Sequence, residues 1–446
     1  MMALETQYRV PTVAVHVDVF SRLVASVAKA NGMPRARQAF VPTPIFNQSP
    51  ATLRAYVEGD DPVHKRPFMA EVFDALTRPL DPGDLGGAGW DRSTPRLVAP
   101  DTEENLHRLF RENRWTDFLP IVLPTEERVE AMLAGTSRAP DEVVGKLRPT
   151  IGMELWEFTV EKVAVNAVMA GADPSHFPVI LALASSGDTG RQSSMSSMGN
   201  MVVVNGPIRN EIGMNSGIGA LGPYNYANSA IGRAFGLLSQ NLQGGSVPGI
   251  SYNGSQGSNF SYNSCTFAEN EEASPWEPYH VQHGYSREDS TVTVSYIWGN
   301  VWSEHLRTYW PEKLQAMLCG LEPSMGMTLA LDPIVAREFV ERGFDTKEKV
   351  VDWIYENARI PAHRYWDHIM LNMIREVVEA GVEPFASYSK APPDELIPMF
   401  EPDRINIVVV GGSTNGQFSV FMGGPMRGKF RSGGARQATV SVDAWR

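Results

Sequence analysis

Apolar positions along this chain follow two periods, one close to 2 and one close to 3.6, in alternating blocks. The first block, Val10-Pro-Thr-Val-Ala-Val-His-Val17, is almost continuously apolar and predicts a strand buried on both faces. Asp18 stands where a helix cap belongs. Val19, Phe20, Leu23, Val24, Val27 and Ala28 then recur at helical spacing up to Gly32. Ser49-Pro50 opens a second helix with proline in its first turn, and Pro67 to Leu76 reads as a third. A strand–helix start of this kind belongs to a parallel, Rossmann-like sheet. So little chain precedes it that further strands are expected from another polypeptide. Residues 1–78 are therefore read as a partial α/β domain, and the Pro/Gly-rich stretch 79–100 as a linker.

From residue 101 the alternation resumes. Asp101-Thr102 and Thr125 are placed to cap helices, and Val160, Val163, Ala164, Ala167 and Val168 form one helical face that Gly171 ends. Pro174 starts a helix carrying Phe177, Ile180, Leu181 and Ala184. Further on, 291–297, 327–331 and 405–410 read as strands, while 303–318, 346–356 and 368–380 read as helices, with Asp332-Pro333 capping another. Residues 101–426 are thus expected to form a larger α/β domain, and 427–446 a basic tail, either a mobile end or an inter-subunit arm.

The block from Ser185 to Cys265 breaks the rhythm. It holds 15 Gly, 15 Ser and 10 Asn but only five charges, Asp188, Arg191, Arg209, Glu211 and Arg233. Such composition usually means a linker. Here Met201 to Val204 and Ile231 to Leu238 interrupt it with apolar runs, so it must pack. It leads into Phe267-Ala-Glu-Asn-Glu-Glu-Ala-Ser-Pro-Trp-Glu-Pro-Tyr-His280, the densest source of proton-transfer groups in the chain. A neutral, amide-rich wall beside acids and imidazoles, over 185–285, reads as an enzyme site.

Whole-chain composition narrows the partners. A formal charge of −12 over 446 residues argues against a nucleic-acid backbone as ligand. The sequence has no apolar run of membrane-spanning length. Two cysteines, Cys265 and Cys319, make neither a metal spacing nor a disulfide framework, which fits a reducing cytoplasm.

Candidate residues follow from these patterns. Glu269, Glu271, Glu272 and His280 are the acid–base candidates, because carboxylates crowded together become working acids near neutrality. Their bland alternative is a solvated acidic loop. Cys265, just upstream, is a secondary nucleophile candidate, or else a small buried hydrophobe. Asn205, Arg209, Glu211, Asn215, Asn228 and Arg233 are candidates for orienting a substrate. Arg209 with Glu211 reads equally as an ion pair bracing its loop, and Arg233 beside a capped helix start reads as an anion contact. No nucleotide-binding glycine motif occurs. A metal held by His280, His283 and Glu277 is a weaker alternative, since the spacing fits no metal motif; no cofactor is expected.

Several of these stretches resemble the UGSC-like family, named for a selenocysteine/cysteine-Gly-Ser-Cys motif. They are Val10 to His16, Glu161 to Gly171, Val204 to Ile208, Asn215 to Gly217, Ala230 to Arg233 and, most distinctively, Phe267 to Pro278. The resemblance implies chemistry of the thiol–disulfide oxidoreductase kind. In that family the motif lies just upstream of the Pro-Thr-Val-Ala-Val strand, where this sequence starts, and no Cys-Gly-Ser-Cys occurs here. The leading expectation is therefore a cytoplasmic enzyme subunit acting on a small polar molecule. A separate small subunit would supply the thiol and complete the N-terminal sheet in a hetero-oligomer. The alternatives are a cofactor-free lyase or hydratase using the Glu/His loop, and a non-catalytic scaffold or ligand-binding subunit.

Overall fold

The structure is a computed structural model. It describes residues 4–5, 8–30, 33–45, 48–79, 95–146, 157–188, 190, 199–242, 252, 254–304, 310–323, 326–367, 375–423 and 439–446. Within the expected linker, residues 80–94 lie outside this set, as do 191–198 and 243–251 of the neutral block.

The N-terminal segment folds as expected in outline. Strand β1 (Ala14–Val17) pairs in parallel with β2 (Gln38–Val41), joined by helix α1 (Ser21–Ala30) and followed by α2 (Pro50–Glu58) and α3 (Phe68–Thr77). Ser49 caps α2, its Oγ accepting from Thr52 N at 3.1 Å. Two expectations need correction. β1 is not buried on both faces, since Val15 is 51% exposed. Asp18 does not cap α1; its Oδ1 accepts from Thr43 N at 3.1 Å and Thr43 Oγ1 at 2.5 Å, tying β1 to the end of β2. Large apolar side chains stay exposed here, including Met69, Phe73 and Leu76 along one face of α3.

The larger part is α/β, built as four layers. Its helices include α4 (Glu103–Glu112), α5 (Glu126–Leu133), α6 (Val160–Met169), α7 (Phe177–Ser185), the short α8 (Ile208–Glu211), α9 (Tyr226–Asn241), α10 (Trp310–Cys319), α11 (Pro333–Glu341) and α12 (Lys347–Asn357). Thr102, Thr125, Asp332 and Thr346 cap α4, α5, α11 and α12, each side-chain oxygen accepting a first-turn amide. Strands β3 (Val143–Lys146) and β4 (Glu157–Thr159) form a small antiparallel pair, and β10 (Arg359–Pro361) and β11 (Leu396–Pro398) another.

Two four-stranded sheets lie at the centre. One has the order β14-β7-β5-β6, from β5 (Gly199–Asn205), β6 (Cys265–Ala268), β7 (Thr291–Ile297) and β14 (Thr439–Ser441). The other has the order β8-β13-β9-β12, from β8 (Gly299–Glu304), β9 (Met327–Leu331), β12 (Ile405–Val409) and β13 (Gln417–Met422). In each, a central strand pairs in parallel with one edge strand and antiparallel with the next strand on its other side. The sheets are therefore mixed, and their strand orders correspond although the sequence carries no visible repeat.

Side-chain alternation along β5 sets the layering. Val202 and Val204 join a core with α6, α7 and α9, whereas Met201 and Val203 face the second sheet, meeting Ala330, Val408, Val410 and Phe421. Met327, Leu329 and Leu331 of β9 point to a third core with α10, α11 and α12. All seven residues of β5 are buried, at about 1.5–3 kcal/mol for each large apolar side chain.

Further departures from expectation have local reasons. Of the helix expected over 303–318, Trp310–Cys319 is helical and 305–309 lie outside the described residues. Residues 299–304 instead form β8, an edge strand paired with β13, in which Ser303 is buried while Asn300, Val301, Trp302 and Glu304 are exposed. Of the helix expected over 368–380, Arg375–Glu379 is helical and 368–374 lie outside the described residues. The end of the basic tail is not free. β14 pairs with β7, Val442 is fully buried, and Arg446 bonds Glu211 and Asp443. Among the described residues, no helix is long and apolar enough to cross a membrane.

Candidate active site

β5 and β6 are parallel neighbours, with Val204 opposite Ala268, so their next residues emerge together at one sheet end. Asn205 Nδ2 donates to Glu269 Oε2 at 2.6 Å and to Glu271 Oε1 at 2.9 Å. Gly206, with φ of 82°, turns the chain so that its N–H also donates to Glu271 Oε1, at 2.8 Å. The turn leads into α8, which carries Arg209. Ligand sites commonly form at such carboxyl ends of strands.

The loop after β6 is anchored at several points. Asn270 bonds the second sheet through Val409 O at 2.8 Å and Gly411 O at 2.9 Å. Trp276 Nε1 donates to Phe344 O at 3.0 Å, and Tyr279 N donates to Glu269 Oε2 at 2.6 Å. Lys347, at the first turn of α12, reaches Glu269 Oε1 at 3.2 Å. Both members of this pair are buried. The Tyr279 hydroxyl bonds Asn406 Oδ1 at 3.1 Å. A cavity of about 300 Å³ opens beside Lys347 and Asn406, lined also by Glu348, Asp352 and Asp403.

Arg209 holds Glu272 in a two-pronged bond of 2.7 and 2.9 Å, while its Nε lies 3.2 Å from Glu271 Oε1. His280 is fully buried, with Nδ1 4.0 Å from Glu271 Oε1, and neither ring nitrogen has a hydrogen-bond partner among the described residues. Asn205 Oδ1 is likewise without one. Buried polar atoms are normally paired, which marks this spot as one suited to a polar ligand.

Six sequence candidates therefore converge: Asn205, Arg209, Glu269, Glu271, Glu272 and His280. Glu272 has a bracing role. The Arg209 hydrogen bonds hold its carboxyl at about 2, so it is anionic at neutral pH. A depressed folded-state value gives stability present above the ordinary carboxylate range and lost as pH falls toward about 2. Glu272→Gln is accordingly expected to flatten the acid limb of stability between about pH 4.5 and about 2. The effect should stay under about 1 kcal/mol because Glu272 is mostly exposed. Urea midpoints measured across that range check this.

The other candidates lie elsewhere. Cys265 starts β6, at the end of the strand opposite Glu269, and burial pushes its thiol up to about 12. Glu211 does not pair with Arg209, because residues two apart on a helix do not face each other; it pairs with Arg446. Asn215 and Asn228 bond each other and tie the 215 loop to the first turn of α9, Asn215 N donating to Asn228 Oδ1 at 3.0 Å and Asn228 Nδ2 to Asn215 O at 3.0 Å. Arg233 pairs with Asp117 at 3.0 Å, bracing α9 against the 114–120 segment. The three residues offered as metal ligands do not converge. Glu277 is exposed and bonds Arg287, and His283 Nδ1 lies 2.6 Å from Thr439 Oγ1. Among the described residues, no group of three metal-ligating side chains forms.

Lys347 was not indicated by the sequence. It reads there as the start of an amphipathic surface helix, and a buried lysine 78 positions from its partner leaves no local signal. Comparison with family models, with curated proteins and with solved structures finds no match to this chain.

Proposed function

We propose that this chain is the proton-transfer subunit of an enzyme acting on a small polar molecule. In this reading a separate small subunit supplies a redox or nucleophilic thiol, in the manner of the UGSC-like family that the sequence resembles. The observation that carries it is the gathering of Glu269, Glu271, Arg209, Asn205 and His280 at one sheet end, while Cys265 lies at the other end of β6. The site has acids, a base and orienting groups, and its own nearest thiol is neutral and displaced. Support for a partner comes from the N-terminal segment, where the two-stranded parallel sheet leaves Val15 exposed and α3 exposes Met69, Phe73 and Leu76 along one face. Parallel sheets are normally covered on both faces, and patches of this kind mark protein contacts.

The test is co-expression with a small polypeptide that carries the family's Cys-Gly-Ser-Cys motif, followed by native mass measurement and thiol alkylation. A heteromeric mass is expected, with turnover lost on alkylating the partner's cysteine. Cys265 should react roughly 10³-fold more slowly than an ordinary thiol, because so little of it is thiolate. A fully active homomer would overturn the reading.

The position of Cys265 also favours a second reading, a lyase or hydratase that uses no thiol. It predicts a bell-shaped pH–rate profile and full activity after alkylation.

A further inference from the structure

We propose that the cavity beside β12 is a binding site for a small cation that also carries an amide, as an amidated basic amino acid does. The inference goes beyond the acid–base reading above and does not depend on it.

β12 is an edge strand of the second sheet, paired on one side with β9. Backbone groups of successive residues in a strand point to opposite edges. Val410 N donates to Leu331 O at 2.9 Å, so the even-numbered residues face β9 and the odd-numbered ones face outward. Two of the outward positions are already tied. Val409 O accepts from Asn270 N at 2.8 Å, and Ile405 N donates to Pro402 O. Between them, Ile407 N–H and C=O have no partner among the described residues. Ile407 is only 1% exposed, and buried backbone groups are nearly always paired. The open edge is thus one residue long. A ligand with an N–H and a C=O set as in one extended amino-acid residue satisfies it, whereas a longer peptide strand would meet the Asn270 bond.

The cavity in front of this edge is lined by Ile405 and Ile407 and measures about 300 Å³. Since an engineered cavity of about 150 Å³ admits benzene, this one takes about twelve non-hydrogen atoms.

Charge decides what else the ligand carries. Lys347 lines the cavity, but its ammonium is bonded to Glu269 at 3.2 Å. Glu348, Asp352 and Asp403 stand exposed at the rim. Glu348 and Asp352 lie four apart on one face of α12, a spacing at which like charges repel. Among the described residues none of the three acids joins an ion pair. Glu348 accepts from Gln282 Nε2 at 3.3 Å, and the nearby Lys349 pairs with Asp345 instead. Arg404, next to Asp403 in sequence, is buried and is not part of the lining. An amide against Ile407 with a cationic arm toward these carboxylates answers both the unpaired edge and the unmatched charge.

Calorimetric titration of the full chain with three compounds tests this. They are N-acetyl-lysine amide, N-acetyl-norleucine amide, which lacks the charge, and pentylamine, which lacks the amide. The lysine compound is expected to bind at least about fivefold more tightly than either of the others. Glu348→Gln combined with Asp352→Asn, both at exposed positions, should weaken it about fivefold and leave the norleucine compound unaffected. In protein with isotope-labelled isoleucine nitrogen, the Ile407 amide resonance, identified by its loss in Ile407→Val, should move on binding. No binding of the lysine compound below about 10 mM would overturn the proposal. Equal affinity for the charged and uncharged amides, or an Ile407 resonance that stays in place, would do the same. Every readout is binding, so a failure of the enzyme reading, seen in turnover, is distinguishable from a failure of this one.

Discussion

Replacing Lys347 by Met is expected to destabilise the larger part of the protein by about 3–5 kcal/mol, far more than a surface lysine would. The side chain is buried, and its ammonium is the only permanent cation bonded to Glu269 among the described residues. Removing it leaves a buried carboxylate held by Asn205 and the Tyr279 amide with no charge opposite. Glu269→Gln added to Lys347→Met should recover part of that loss, because the uncompensated charge is gone. Recovery stays incomplete, since an amide whose oxygen accepts from Asn205 Nδ2 and Tyr279 N leaves its NH2 buried where the other carboxylate oxygen met Lys347, with a methionine opposite. Urea midpoints of the single and double variants give the coupling directly. Equal losses in the two would contradict the buried-pair description.

Gly206→Ala is expected to cost about 3–4 kcal/mol, from two sources that act at the same atom. Gly206 has a φ of 82°, a conformation in which a side chain is strained. A methyl group there would also meet Asp289 O at 2.1 Å and Asp289 C at 2.8 Å, which are backbone atoms that cannot swing aside. Relief would require the turn after β5 to shift, carrying with it the N–H that donates to Glu271 and the start of α8 that positions Arg209. A urea midpoint lowered by less than 1 kcal/mol equivalent would mean that the turn is softer than this geometry implies.

What the sequence made legible was what local physics controls. Ser49, Thr102, Thr125 and Asp332 cap the helices they precede, because a cap needs only its own first turn. The strands read over 201–204, 291–297, 327–331 and 405–410 announced themselves by apolar runs, the last ending one residue earlier, at Val409. The acid-rich loop after β6 could be singled out by composition, as could Asn205 and Arg209 at the end of β5. Partnership could not be read in the same way. Arg209 was set against Glu211, two residues away, whereas its carboxylates are Glu271 and Glu272, brought in by the parallel pairing of β6. Asn215, Asn228 and Arg233 are polar residues in a neutral segment, and nothing local separates a brace from a ligand contact. Lys347 entered through a helix of the outer layer on the opposite side of the second sheet from β5.

The strand order of the first sheet has a consequence for how the protein is made. β7 and β14 are joined by the bond between Thr293 and Thr439, 146 residues apart, and the whole second sheet is synthesised between them. Until residues 439–446 leave the ribosome, the outer edge of β7 has no mate and the second sheet must organise without its finished neighbour. A strand edge left open that long invites pairing with another nascent chain. Residues 439–446 then dock in several places at once. β14 adds to β7, Thr136 bonds Trp445 O, and Arg446 reaches Glu211 on α8, next to the arginine turn of the site. Closure of this sheet edge and the Arg446 contact to α8 therefore both wait for the synthesis of residues 439–446.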